Sequence, residues 1–450
     1  MLDIKFIREN GDKLKEAIKN KNIVLDLDAL LELDKKRVKL LQEIEKLQAE
    51  KNKLNDLIQK ATDDERKKII EQGKSIKEKL AEIEPEYKKI EKEFGDLMAE
   101  VPVIPASDVP VGKSEDENVE VFKWGEIPKF SAKGGSASGG NFSPKTHIQL
   151  GKDLDILDLE RGAKVGGYRG YYVKNEGVSL MLGFMMYAMN KMIEKGYSPM
   201  IVPTLVKEFS LFGSGYFKGL EYNPEADEIY EVATSDKEAD GKTSKDKKFL
   251  AGTAEPSLLA YYSGEVLKEE QLPMKLCGFS QCYRSEIGSY GKDTKGLYRV
   301  HEFMKVEQVI LMKADAKEAE KMQDEMIAIS KEMHEELGIP YRQLIICTGD
   351  LGAGKYRQYD LEAWLPGMNR WGETGSASIF LDWQARRLNV KYVDQNGDKK
   401  YVYMLNNTAL PSPRIFIAIL ENYQQADGSV KIPEVLKKYM PAEIDYIRKK

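Results

Sequence analysis

The stretch CYRSEIGSYGKDTKGLYRVHEFMKVE, Cys282 to Glu307, consists of two strand-forming runs separated by a turn rich in glycine and charge. Side chains along a strand alternate between its faces. The spacing therefore predicts an antiparallel hairpin, with Arg284 and Glu286 on one face of the first strand and Arg299, Phe303 and Glu307 on one face of the return strand. That patch would hold two arginines, two carboxylates and an aromatic ring. Paired guanidiniums suit phosphate or carboxylate groups, because each offers a planar bidentate fork. An isolated Arg-x-Glu on a hairpin is more often a solvated ion pair, so the rest of the chain has to decide.

Outward from this hairpin, β-branched runs such as PMIVP (Pro199 to Pro203) and RQLIICT (Arg342 to Thr348) alternate with longer helical patterns. The mixture predicts an α+β domain built on a sheet, spanning 133–450. Within it TSDKEADGKTSKDKK (Thr234 to Lys248) reads as an exposed loop between strands. Upstream, VPVIPASDVPVG (Val101 to Gly112) ends a helical region with prolines, and residues 105–132 read as linker and start of the sheet domain. KGGSASGG (Lys133 to Gly140) is too rich in glycine to hold regular structure.

Residues 1–104 carry the strongest periodicity. Leu33, Arg37, Leu40, Ile44, Leu47, Lys51, Leu54 and Ile58 follow in alternating steps of four and three. After a polar break at Ala61 to Asp64, a second seam runs through Ile69, Gly73, Ile76, Leu80, Ile83, Tyr87, Ile90, Phe94 and Leu97. These are heptad seams, and two of them joined by a short turn predict an antiparallel coiled-coil arm. Pro85 should kink or interrupt the second helix. Met1 to about Asn22 reads as one short amphipathic helix at the base of the arm. Between Lys51 and Lys79 lie nine basic residues, Arg66, Lys67 and Lys68 among them, against six acidic ones.

With 450 residues and 42% apolar content the chain can bury a large core. No basic leader precedes an apolar run, and no segment approaches the roughly 20 apolar residues that span a bilayer; a cytoplasmic location without membrane is expected. Three cysteines (Cys277, Cys282, Cys347) and three histidines fit neither a disulfide framework nor a zinc cluster. The net charge is only −5 with 32% charged residues, so any nucleic-acid site must come from local patches.

The Cys282–Glu307 stretch resembles motif 2 of class II aminoacyl-tRNA synthetases, and DTKGLYRVHEFMKVE resembles the seryl enzymes in particular. LEAWLPG (Leu361 to Gly367), DWQARRLNVKY (Asp382 to Tyr392) and AILENYQQADGSVKIPEVLKKYM (Ala418 to Met440) resemble the same family in order and spacing, and the arm falls in the family's place. The resemblance implies ATP, Mg²⁺, L-serine and tRNA(Ser) as cofactors and partners, with tRNA(Sec) where it exists, and a homodimer. It implies that Arg284 binds the α-phosphate and the serine carboxylate, Glu286 the adenine amino group and Phe303 the purine ring, with Ser285 and Val300 alongside. Arg299 and Arg414, the motif 3 arginine, would hold the γ-phosphate. LPSPRIF supports a helix start there, with Ser412 as cap and Pro413 in the first helical position. Glu373 and Ser376 in GETGSAS would hold Mg²⁺, and Thr374 and Gly375 between them would join the ATP contacts.

For serine, the family's Thr-x-Glu signature matches Thr253, Ala254 and Glu255. Glu307, Thr408 and Asn406 match positions around the substrate hydroxyl and amine. Acceptors aimed at a hydroxyl reject alanine by leaving themselves unpaired, by about 10⁴ in a site of this kind. Motif 1, the family's dimer element, matches Val178 to Pro203. The chain also departs from the pattern. Ala409, Pro411 and Pro413 stand where motif 3 is glycine-rich. Ala377, Ile379, Gly372 and Glu302 replace a cysteine, an asparagine, an arginine and a glutamine. The rival readings are another class II synthetase, a paralogue serving a carrier protein, and a scaffold with a weakened catalytic domain.

Overall fold

A computed structural model describes residues 1–59, 62–128, 142–217, 219–234, 236–237, 239–287, 295–441 and 444–449. Lys60, Ala61, the KGGSASGG segment and most of the hairpin turn fall outside them. The chain divides into two compact units: Met1–Lys19 with Ile23–Pro102, and Asn20–Asn22 with Val103–Lys450.

In the first unit, helices α1 (Leu27–Ile58) and α2 (Asp63–Glu100) pair along their length. Every member of the second heptad seam is buried or half-buried, and so is every member of the first except Lys51. Ile44, Leu47 and Leu80 form the arm's small core. Asp26 and Thr62 start the two helices; the Thr62 hydroxyl donates to Glu65 Oε2 at 2.7 Å. Pro85 does not interrupt α2. Pro85 and Ala81, whose carbonyl loses its helical donor, are both at the solvent-facing side of the helix, so that carbonyl faces water. The amphipathic start is two helices, Ile4–Glu9 and Gly11–Asn20, because Asn10 caps the first.

The second unit is built on an eight-stranded sheet. In chain order its strands are β1 (Val119–Trp124), β2 (Ser198–Ile201), β3 (Met274–Tyr283), β4 (Glu302–Met312), β5 (Tyr341–Ile345), β6 (Arg357–Leu365), β7 (Arg370–Leu381) and β8 (Tyr403–Pro411). The spatial order is β1-β5-β6-β7-β8-β4-β3-β2, and every pairing is antiparallel except β2 against β3. Helices of the same unit include α3 (His147–Asp153), α4 (Leu159–Gly166), α5 (Glu176–Glu194), α6 (Ala316–Glu336) and α7 (Ser412–Asn422). Residues of α5, α6 and α7 share one hydrophobic cluster with the sheet. The end of β4, VILM, is a continuous apolar run buried throughout, because both faces of the strand are covered there. Buried polar residues on the central strands, which burial would normally forbid, are paired on both faces: Asn406 donates to Glu255, and the adjacent Asn407 donates to the Met326 carbonyl and the Ser330 hydroxyl on α6. Among the described residues no helix is long and apolar enough to cross a membrane.

Candidate active site

The hairpin forms, but its strands are shorter than the spacing predicts. β3 ends at Tyr283 and β4 begins at Glu302. One further backbone bond, from Arg284 N–H to the His301 carbonyl at 3.0 Å, closes the ladder. Arg284, Glu286 and Arg299 therefore sit on the connecting loop, outside strand alternation. Glu286 has φ of +55°, a left-handed conformation incompatible with a continuing strand. The loop nevertheless gathers Arg284, Glu286, Arg299 and Val300 with Phe303 into a cleft that also reaches Glu373, Thr408 and Arg414. Arg284 Nε donates to the Gly252 carbonyl at 3.3 Å, and its guanidinium lies 5.4 Å from the Phe303 ring centroid. Ser285 sits in the same loop, with its N–H directed at the Glu228 carbonyl.

Arg414 enters from the first turn of α7. The cap of that helix is Pro411, with Ser412 the first helical residue and Pro413 the second. The Ser412 hydroxyl instead accepts from Met304 N–H at 3.0 Å, tying the helix to β4. Arg414 Nη1 donates to the Glu373 carbonyl at 2.8 Å and lies 3.1 Å from Glu373 Oε2. Tyr298, from the hairpin loop, stacks against it at 4.5 Å and against Arg370 at 4.3 Å. Desolvation raises the Glu373 carboxyl, but the Arg414 and Arg284 guanidiniums more than offset this and hold it below the usual carboxylate range.

Glu373 and Ser376 are three apart and would face opposite ways on a regular strand. Thr374 is an extra residue against β6, where Leu361 pairs with Gly375 and Glu362 with Glu373. This bulge restores a common face for Glu373 and Ser376. Thr374 turns its hydroxyl away, to His334 Nε2 at 2.8 Å, while His334 Nδ1–H donates to the Ser330 carbonyl. Burial pushes the His334 ring down to about 4, so it is a neutral strut beneath the cleft. Gly375 is buried beside Leu361. Asp360 pairs with Ser376 across the strands, and Gln358 Nε2 bridges Asp360 Oδ1 at 2.7 Å and Ser376 Oγ at 3.0 Å. Burial and the Glu373 carboxylate push Asp360 upward. An all-oxygen set of two carboxyls and a hydroxyl fits a hard divalent ion such as Mg²⁺, which keeps much of its water.

A second polar cluster lies deeper. Thr253 Oγ1 donates to Glu307 Oε2 at 2.8 Å, and Lys305 forms an ion pair with the same oxygen. Lys305 Nζ also donates to Thr408 Oγ1 at 3.1 Å. Glu255 Oε1 accepts from Asn406 and from Gln384, each at 2.7 Å. Burial and the neighbouring Glu307 carboxylate push Glu255 up to about 7. Ala254 packs against Gly278, where any side chain would collide with it. Sequence reasoning missed Lys305, although alternation through 303, 305 and 307 already puts it on the face of Phe303 and Glu307. Gln384, Asp360, Tyr298 and Arg169 carried no comparable signal, because their partners are distant in sequence.

This antiparallel sheet, with an arginine-bearing hairpin and an arginine at the start of the last long helix, defines a class II aminoacyl-tRNA synthetase core. The sequence model of the tRNA synthetase class II core domain (G, H, P, S and T) matches residues 234–423. Residues 1–105 match the seryl-tRNA synthetase N-terminal domain. A serine–tRNA ligase of Treponema denticola is 42% identical over 444 residues, 98% of each chain. Among solved structures, a seryl-tRNA synthetase from Pyrococcus horikoshii complexed with ATP superposes with a TM-score of 0.82 at 34% identity, covering 100% of both chains. A cytoplasmic serine–tRNA ligase from Naegleria fowleri in complex with AMP gives 0.82 at 31%, covering 100% of this chain and 99% of the other. The chain belongs to the seryl-tRNA synthetase family.

Proposed function

We propose that the protein activates L-serine with ATP and transfers the seryl group to the terminal adenosine of tRNA(Ser), and of tRNA(Sec) where one exists. The observation that carries this reading is the junction of the cleft with a buried polar cluster. Arg284, Arg299 and Arg414 line the cleft, and Lys305 and Thr408 in its wall join it to the buried acceptor cluster of Thr253, Glu255, Glu307 and Asn406, with Arg284 tied to the 252–255 segment through Gly252. A pocket of carboxylates, an amide and hydroxyls suits a small zwitterion with a hydroxyl; three guanidiniums suit a triphosphate.

In the first step a serine carboxylate oxygen attacks the α-phosphorus and diphosphate leaves. Arg284 contacts both the carboxylate and the α-phosphate, orients them in line and meets the charge that builds up. Arg299 and Arg414 hold the γ-phosphate of a bent nucleotide, Glu286 accepts from the adenine amino group, and Phe303 stacks on the purine with Ser285 and Val300 beside it. Thr253, Glu255, Glu307, Asn406 and Thr408 receive the amine and hydroxyl of serine, with Ala254 at the wall. Glu373 and Ser376 would hold Mg²⁺, with Thr374 and Gly375 contributing main chain; the ion, when bound, neutralises phosphate oxygens. In the second step the terminal ribose hydroxyl attacks the seryl carbonyl and AMP leaves.

The arm offers Arg66, Lys67 and Lys68, all exposed, to tRNA phosphates. Val178, Leu182, Met186 and Ile193 form an exposed stripe on α5 and Ile201 projects from β2 with 90% exposure, which supports a homodimer through motif 1. The compartment on this reading is the cytoplasm. ATP–diphosphate exchange with each amino acid tests the proposal: serine alone should support exchange, and rapid exchange with another amino acid, or none with serine, would overturn it.

A further inference from the structure

Arg169 lies in none of the three motifs. It sits in the turn between α4 and the short strand Tyr172–Val173, with φ of +67°. The turn is pressed onto α4: a methyl group on Gly162 would come within 2.3 Å of Tyr171 Cα and 2.5 Å of the Gly170 carbonyl oxygen. Its far side is tied to the start of β4 by the Tyr171 hydroxyl, which donates to the Glu302 carbonyl at 3.0 Å. This held turn sends the Arg169 side chain inward, where it is only 4% exposed and where Nη1 lies 3.4 Å from Glu286 Oε2. Arg299 Nη1 meets the same oxygen at 3.3 Å, but Arg299 is 30% exposed and lines the cleft.

The two arginines are therefore not equivalent. On the reading above, on which this inference rests, Arg299 turns to the γ-phosphate when ATP binds, at the moment Glu286 must be in place for the adenine amino group. A carboxylate as buried as Glu286, at 8% side-chain exposure, holds its position through a charged partner. Arg169 is behind Glu286 and does not line the cleft, so phosphate does not compete for it. We propose that Arg169 is a positioning residue for adenine recognition, holding the Glu286 carboxylate toward the base while Arg299 is engaged by the phosphates.

The test compares ATP with purine riboside 5′-triphosphate, which lacks the 6-amino group, in serine-dependent diphosphate release. Arg169→Met should raise KM for ATP about tenfold or more, the effect of losing one bond to a charged group. KM for serine should stay within about twofold. With the purine nucleotide the same substitution should add less than about twofold to the wild-type KM, since no amino group remains to be read. Arg169→Lys, which keeps the charge at shorter reach, should fall between, and it carries the comparison if the methionine variant fails to fold. Equal weakening toward both nucleotides, or toward neither, overturns the role of Arg169. Glu286→Ala is the control. Should that substitution weaken ATP and the purine nucleotide equally, the adenine reading itself is wrong and the inference falls with it; should it weaken ATP alone while Arg169→Met does not, only the inference falls.

Discussion

Arg414 grips Glu373 twice, through the main-chain carbonyl at 2.8 Å and the carboxylate at 3.1 Å. The first turn of the last long helix is thereby fastened to the strand that carries the candidate Mg²⁺ ligands. The Glu373 carboxyl lies below the ordinary range in the folded protein. A depressed carboxyl contributes stability above its unfolded value, and that contribution is lost as pH falls through the folded one. Arg414→Gln should therefore lower the melting temperature at about pH 7, with a smaller difference from wild type at about pH 4. Glu373 is 44% exposed on its side chain, so solvent screening keeps the difference modest. Thermal melts of both proteins across that range check it; a gap that widened in acid would remove the ion pair as its cause.

Arg284→Ala should cut serine-dependent exchange by about 10² to 10³, the usual cost of one contact made chiefly in the transition state. The fold should survive, since in the structure Arg284 gives Gly252 only one bond from its side chain. Wild-type exchange kinetics in a folded variant would remove Arg284 from the chemistry.

Activation should require added Mg²⁺ and no zinc. Ser376→Ala should raise the Mg²⁺ concentration for half-maximal exchange several-fold while leaving serine KM unchanged, because Ser376 belongs to the β6–β7 face and not to the 253–255 pocket. Stoichiometric zinc in active, extensively dialysed protein would contradict the first statement, and an unaltered Mg²⁺ titration the second.

Glu255 gives the pocket a pH signature. With its carboxyl pushed up to about 7, Glu255 becomes neutral as pH falls below that value and no longer attracts the serine ammonium. KM for serine should rise by up to about tenfold per pH unit below about 7, and Glu255→Gln should flatten the profile. Stability runs the opposite way. The folded protein keeps a proton on Glu255 that the unfolded chain has lost, so this group's contribution is full in acid and disappears as pH rises through about 7. Glu255→Gln should gain melting temperature over wild type at alkaline pH and not in acid. A serine KM independent of pH would exclude Glu255 from the pocket.

The arm was legible in the sequence because a heptad seam is a local property: Ile69 to Leu97 can be checked by counting, and the structure buries those positions wholly or in part. Phe303 and Glu307 were legible for the same reason, since strand alternation extends through β4. Alternation failed at Arg284, Glu286 and Arg299 because the glycine- and charge-rich turn ends the ladder earlier than the flanking residues suggest. It would have failed at Glu373 and Ser376 too, which share a face only through the bulge at Thr374. Lys305 was within reach of the period of two. Asp360, Tyr298 and Arg169 act through partners brought together by sheet order and by packing of a turn, which one-dimensional spacing does not encode.

The arm separates charging of tRNA from activation of the amino acid. Lys51, Lys53, Lys74, Lys77 and Lys79 are exposed along with Arg66, Lys67 and Lys68, and Arg66 meets Asp63 only at 3.9 Å. A rod of two helices with backbone-directed cations suits recognition of RNA by shape. Nearer the base, the Arg37 guanidinium lies 4.5 Å from the Phe94 ring, so α1 and α2 run side by side and can be joined there without a gap. Replacing Asp34 to Met98 with a short linker should leave serine-dependent exchange within several-fold of wild type, because none of the cleft residues belongs to that segment. Transfer to tRNA should fall by orders of magnitude. Neutralising Arg66, Lys67 and Lys68 together should weaken tRNA binding and flatten its dependence on salt, since every phosphate left without a cationic partner retains about one counterion that binding would otherwise release. KM for serine and ATP should be unchanged. An armless protein that charged tRNA as well as the intact one would make the arm an assembly element, and selection of tRNA would then have to be sought on the catalytic unit.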